Sequence, residues 1–97
     1  MIVAAARITL HIHGNNSLKG KRQVVRSLIE KVRHRFAVSI AEVDSHDKWQ
    51  RAELGLAVAG NDERLLSQLV DQVMHFMENQ HLAEIIDSQL EPVHLEK

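Results

Sequence analysis

Ninety-seven residues, 44% of them hydrophobic and 26% charged, suffice for one domain with its own core, and no stretch approaches the roughly 18 consecutive apolar residues of a membrane span. The chain has no cysteine, which removes disulfides, thiol catalysis and thiolate metal sites together. Its formal net charge of −1 gives no global attraction to nucleic acid, so any such binding must come from a local patch. The N-terminus is briefly apolar but has no basic leader and no long apolar region, so a cytoplasmic protein is expected, folded as a single domain over 1–97.

Residues 2–12 alternate. Ile2, Ala4, Ala6, Ile8, Leu10 and Ile12 fall on one side and Val3, Ala5, Arg7, Thr9 and His11 on the other, the period of a half-buried strand. Gly14-Asn15-Asn16 breaks it, and Ser17 stands where a helix N-cap belongs. From there the period becomes 3.6: Leu18, Val25, Leu28, Ile29, Val32 and Phe36 define one apolar stripe of a helix over 17–36. This helix carries seven of the twelve Lys and Arg residues against a single acid, Glu30, a local charge of +6. At about 100° per residue, Lys19, Arg22, Arg26 and Arg33 fall within about 60° of one another, beside Ile29. They form a basic row on the boundary between helix and sheet.

Phe36 to Val43 alternates again, with Phe36, Val38 and Ile40 on one face, and Asp44 to Lys48 is a polar turn. In the strand that follows, Ala52, Leu54, Leu56 and Val58 face inward and Glu53, Gly55, Ala57 and Ala59 outward, so the two strands make a hairpin. Gly60-Asn61-Asp62-Glu63 starts a second helix with Asn61 as its cap and acids in the first turn. Leu65, Leu66, Leu69, Val70, Val73, Met74 and Met77 supply its buried face. Leu82 to Val93 reads as a fourth strand whose Pro92 suits only an edge, and residues 91–97 as a flexible tail. The order β-α-β-β-α-β, with right-handed crossovers, predicts a ferredoxin-like α+β fold: an antiparallel sheet of strand order 4-1-3-2 with both helices on one face.

That topology gathers the end of the first strand, the start of the first helix and the hairpin turn at one end of the molecule. The first helical turn is the anomaly. A helix N-terminus is partially positive, yet Lys19, Lys21 and Arg22 stand there with no acid nearby in sequence. Free backbone N–H groups beside cations make an anion site, which reads as a contact for RNA phosphates by Ser17, Lys19, Lys21, Arg22, Arg26 and Arg33. The competing reading is a solvated basic face neutralised by Asp44 or Asp47. Trp49 and Arg51 share the open sheet face and, with His11, are secondary contacts; for Trp49 the rival role is a lid on the hairpin or an oligomer contact.

An RNA-recognition domain of this fold places stacking aromatics centrally on strands one and three, where this chain has Thr9, His11, Gly55 and Ala57, which argues against such a domain. His11-x-His13 puts two imidazoles on one face of a strand, a spacing metals use, but with seven His in the chain a chance pair is the plainer reading. No metal or cofactor is expected. With no nucleophile motif and no Walker-type phosphate loop, no catalytic residue is named. The small open face of Ser39, Ala41, Gly55, Ala57 and Ala59, together with exposed edge strands, suits packing against a second copy, and a homodimer is expected.

Leu10-His-Ile12, Ser17-Leu-Lys-Gly-Lys-Arg-Gln-Val-Val-Arg-Ser-Leu28, Arg35-Phe-Ala-Val-Ser-Ile-Ala-Glu-Val43 and Trp49-Gln-Arg-Ala52 resemble the bacterial DUF503 family of YlxP-like proteins, from residue 2 to about 90. The resemblance implies a small ferredoxin-like domain without an established biochemical function. The family's genes often lie beside those of translation initiation factor two and ribosome-binding factor A, which implies a role around RNA or the ribosome. Two positions depart from the family's pattern: Gly20 stands where an acid is common, removing the capping-box partner of Ser17, and His13 where Pro is usual. The leading expectation is a non-enzymatic binding module contacting RNA or a ribosomal particle through the basic helix. The alternative is a homo-oligomeric or protein-interaction domain that meets an acidic partner, and the third is a small-anion binder or an enzyme.

Overall fold

A computed structural model describes residues 1–96. Six elements follow one another: β1 (Ile2–His11), α1 (Leu18–Arg35), β2 (Ser39–Asp44), β3 (Arg51–Gly60), α2 (Glu63–Glu78) and β4 (Glu84–His94). The strands form one antiparallel sheet in the order β2-β3-β1-β4, which is 4-1-3-2 read from the other edge. The fold is the expected ferredoxin-like one.

The alternation of β1 and β3 is what selects the register. Their pairing runs unbroken from Ile2 opposite Gly60 to His11 opposite Arg51, and a slip of one residue would turn every apolar side chain to the wrong face. Ala4, Ala6, Ile8, Leu10, Leu54 and Leu56 are buried on one face of the sheet. Against them pack Val25, Leu28 and Val32 from α1 and Leu66, Val70, Val73 and Met77 from α2.

Three boundaries differ from those read in the sequence. Phe36 does not open β2; it caps the C-terminus of α1 with its N–H donating to the Val32 carbonyl, and its ring meets Phe76 edge-on at 5.5 Å. The cap of α2 is Asp62 rather than Asn61, its carboxylate accepting the N–H groups of Arg64 and Leu65 at 3.0 and 3.2 Å. The tail expected over 91–97 is largely strand. β4 continues to His94, with Pro92 opposite Ala4 and Val93 opposite Val3, and the Leu95 N–H donates to the Met1 carbonyl. Pro92 is tolerated because β4 is an edge and its missing N–H leaves no ladder bond unmade on the outer side. Lys97 lies outside the described residues.

Both edges are interrupted. β2 shifts register between Glu42 and Asp44, and β4 is irregular where it passes Thr9 and Leu10 of β1. Bulges of this kind twist an edge away from further pairing, so the edges are poorer templates for a second copy than the strand pattern suggested.

Candidate functional site

The expected cluster at one end of the fold forms through backbone carbonyls. Asn15 Nδ2 donates to the carbonyls of Ser17 at 2.8 Å and Trp49 at 2.5 Å, Gln50 Nε2 donates to the Asn15 carbonyl at 2.9 Å, and the Ile12 N–H donates to the Gln50 carbonyl at 2.8 Å. The loop before α1 is thereby tied to the chain entering β3. Gly20 makes room for this arrangement, because a Cβ there would collide with Asn15 Oδ1.

The anion site expected at the first turn of α1 loses two members. Ser17 Oγ accepts the Gly20 N–H at 3.0 Å, so the hydroxyl serves as the cap. Lys21 is only 1% exposed. Its ammonium donates to the Ser45 carbonyl and lies 2.9 Å from Glu42 Oε2, out of line for a hydrogen bond, so that attraction is ionic. A buried ammonium is too costly to leave unpaired, and Lys21 is therefore a structural cation and not a phosphate ligand. The helical wheel carried this signal: Lys21 falls about 20° from both Leu28 and Val32, in the middle of the buried stripe.

The other cations face solvent. Arg22, Arg26 and Arg33 line a groove between α1 and β2 with Ile29 and Ala41, and Lys19 is exposed one turn before them. Arg33 Nη2 donates to the Ile40 carbonyl at 2.7 Å, which fixes the lower end of the row against the edge strand. Among the described residues, none of Lys19, Arg22, Arg26, Lys31, Arg33 and Arg35 has a carboxylate ion-pair partner, whereas Arg7, Lys21 and Arg51 all do. Asp44 and Asp47, the acids expected to neutralise the ridge, do not reach it; Asp44 binds Arg7.

The secondary contacts are not brought to this row. His11 and Arg51 oppose each other across β1 and β3 on the open face of the sheet, the side away from α1. Trp49 is 53% exposed just before β3. The His11 and His13 rings meet edge-on at 4.2 Å, and His13 Nε2 lies 3.2 Å from Glu84 Oε1. No group of three His, Asp or Glu among the described residues is arranged to hold a metal.

The open face is not the mild surface expected. Arg7 reaches Glu53 Oε1 at 2.9 Å and Asp44 Oδ2 at 3.1 Å, Arg51 stands 3.7 Å from Glu53, and Ser45 Oγ donates to Glu53 Oε2 at 2.5 Å. The Ser45 hydroxyl and then the Arg7 guanidinium hold the Glu53 carboxyl below its usual range. The Ser45 N–H, followed by Arg7, does the same for Asp44, and the Glu53 hydrogen bond and charge raise Arg7. Ser45 adopts φ +62 at the hub, bonded to Lys21 through its carbonyl and to Glu53 through its hydroxyl. These partners escaped the sequence reading because they meet across the β2–β3 turn, although Arg7 and Glu53 already shared a face by parity.

Residues 3–90 match the family model described as "Protein of unknown function (DUF503)". The chain belongs to the DUF503 family. It is 31% identical over 68 residues to the uncharacterized protein YlxP of Bacillus subtilis (strain 168), covering 70% of this chain and 74% of that one. A structural-genomics protein, YJCS, superimposes over 97% of this chain and 99% of its own with a TM-score of 0.50 at 12% identity, which shows the fold alone. SnoaB, a cofactor-independent oxygenase from Streptomyces nogalater, aligns over 99% of this chain and 94% of its own at 11% identity, but its TM-score of 0.43 carries no argument. Within this DUF503 domain the stretch from Ser17 to Arg22 divides by role: Ser17 and Lys21 hold the fold, while Lys19 and Arg22 face outward.

Proposed function

We propose that this DUF503 protein is a non-enzymatic module that binds RNA, free or within a ribosomal particle, through phosphate contacts along α1. One observation carries the reading: Lys19, Arg22, Arg26 and Arg33 stand exposed on one flank of α1 and, among the described residues, without acid partners, whereas the sheet arginines Arg7 and Arg51 are neutralised. A row of unpaired guanidiniums on a rigid helix matches a repeating anion better than a single small one. The open face is the poorer surface for RNA, because it offers no Phe, Tyr or Trp on its central strands and its arginines are already paired with acids.

Retention of total cellular RNA on filters, measured from low to moderate salt, tests the reading. Four neutralised phosphates imply a loss of about 50- to 150-fold between roughly 50 and 200 mM salt. Arg22→Glu/Arg26→Glu is expected to abolish retention. No retention at low salt, or retention indifferent to that double reversal, overturns the proposal.

A further inference from the structure

The exposed surface of α1 has two basic flanks. At about 100° per residue, Arg22, Arg26 and Arg33 lie on the side facing β2, and Lys31 and Arg35 about 180° away on the side facing α2. Gln23, Ser27, Glu30 and His34 form the crest between them, less basic than either flank. Each flank borders a groove of similar size: about 440 Å³ against Ala41 and Glu42 of β2, and about 540 Å³ against Phe76 of α2. On the second flank the Arg35 guanidinium lies 5.1 Å from the Phe76 ring centroid, which steadies it over that groove. Lys31 and Arg35 have no carboxylate partner among the described residues, so this second row is as free as the first.

Resting on the reading of α1 as an RNA contact, we infer that the ligand is a double helix, with α1 lying along a groove and its two basic rows against the phosphates of opposite strands. Single strands are held in concave basic channels lined with aromatics on which the bases stack. Here the cations stand in two rows, each along its own groove and separated by the convex crest of α1, so that one backbone cannot follow both. The crest carries no Phe, Tyr or Trp, and of those rings only Phe76 lines a groove, the second. A duplex supplies the complement, two parallel lines of phosphate bordering a groove. α1 spans about 27 Å over its 18 residues, and with side chains a helix is about 10–12 Å across. The grooves of nucleic-acid duplexes are of this scale: the major groove of B-form DNA admits a helix, and the minor groove of A-form RNA is wide and shallow. Because the chemistry of both is a paired phosphate backbone, RNA and DNA duplexes enter the test as separate arms.

The test is fluorescence anisotropy with a 20-base-pair RNA duplex, the DNA duplex of the same sequence, and the single RNA strand, at low salt. The expected result is at least tenfold tighter binding to a duplex than to the single strand. Lys31→Glu/Arg35→Glu should weaken duplex binding at least tenfold, as Arg22→Glu/Arg26→Glu does, with both variants keeping the wild-type circular dichroism spectrum. The RNA duplex is expected to bind at least as tightly as the DNA duplex; a preference for DNA keeps the duplex inference and overturns the RNA reading. Equal or tighter binding of the single strand, or full duplex affinity in the Lys31/Arg35 variant, overturns the duplex inference while the RNA reading stands. Failure of all three probes together with cellular RNA overturns both.

Discussion

Lys21 belongs to a basic motif by sequence and to the core by position. Its ammonium is buried against Glu42 and the Ser45 carbonyl, while the Glu42 side chain is 18% exposed. Replacing Lys21 by Met leaves a partly buried carboxylate and a carbonyl without their partner, and breaking such a pair costs roughly 3 kcal/mol. Urea denaturation of Lys21→Met should show a loss of that order, with RNA affinity of the folded protein kept within about twofold. Adding Glu42→Met should restore part of the stability, since two apolar groups of similar volume strand no charge. An unchanged urea midpoint combined with weakened RNA binding would return Lys21 to the ligand row.

At the start of α1 two preferences conflict. Glycine in a helix costs about 1 kcal/mol relative to alanine, so Gly20→Ala ought to stabilise α1. Asn15 Oδ1 already occupies the space a Cβ needs, and Asn15 is held by hydrogen bonds to the carbonyls of Ser17 and Trp49. Gly20→Ala is therefore expected to give no gain or a net loss in the wild-type background, and a gain of about 1 kcal/mol when Asn15 is also replaced by Ala. Thermal denaturation of the four proteins of this cycle measures the coupling; strict additivity would show that Asn15 does not read position 20. The same elements show why the fold was legible and part of the site was not. Periods of 2 and 3.6 expose the buried faces directly, and they placed every strand and helix in the right order. Residues 91–94 read as the start of a tail as well as the end of a strand because Glu91 and Pro92 sit on an exposed edge, where burial imposes no alternation. The partners of Lys21 and Arg7 depend on how β2 shifts past Val43, and a register shift leaves no trace in local spacing.

At the scale of the molecule, one charge network joins three of the four strands. Arg7 on β1 holds Glu53 on β3 and Asp44 on β2, with Ser45 bonded to both carboxylates. Glu53 and Asp44 have folded pKa values below the ordinary carboxylate range, so both release protons more readily in the folded chain than in the unfolded one. The sign follows from proton binding: the unfolded state holds more protons below about pH 4.5, so acid favours unfolding. The network's contribution is thus fully present above the unfolded carboxylate values and fades as pH falls through the lower folded ones. Arg7 is raised above a value already beyond this window, so it stays charged throughout and adds no pH dependence of its own. Glu53→Gln removes the central carboxylate. Its urea midpoint is expected to lie below the wild type's at pH 7, and the gap should close as pH falls below the unfolded carboxylate values, about pH 4.5, and through the lowered folded ones. A gap that stays constant over that range would mean that the ionised form of Glu53 contributes nothing to holding β1, β2 and β3 together.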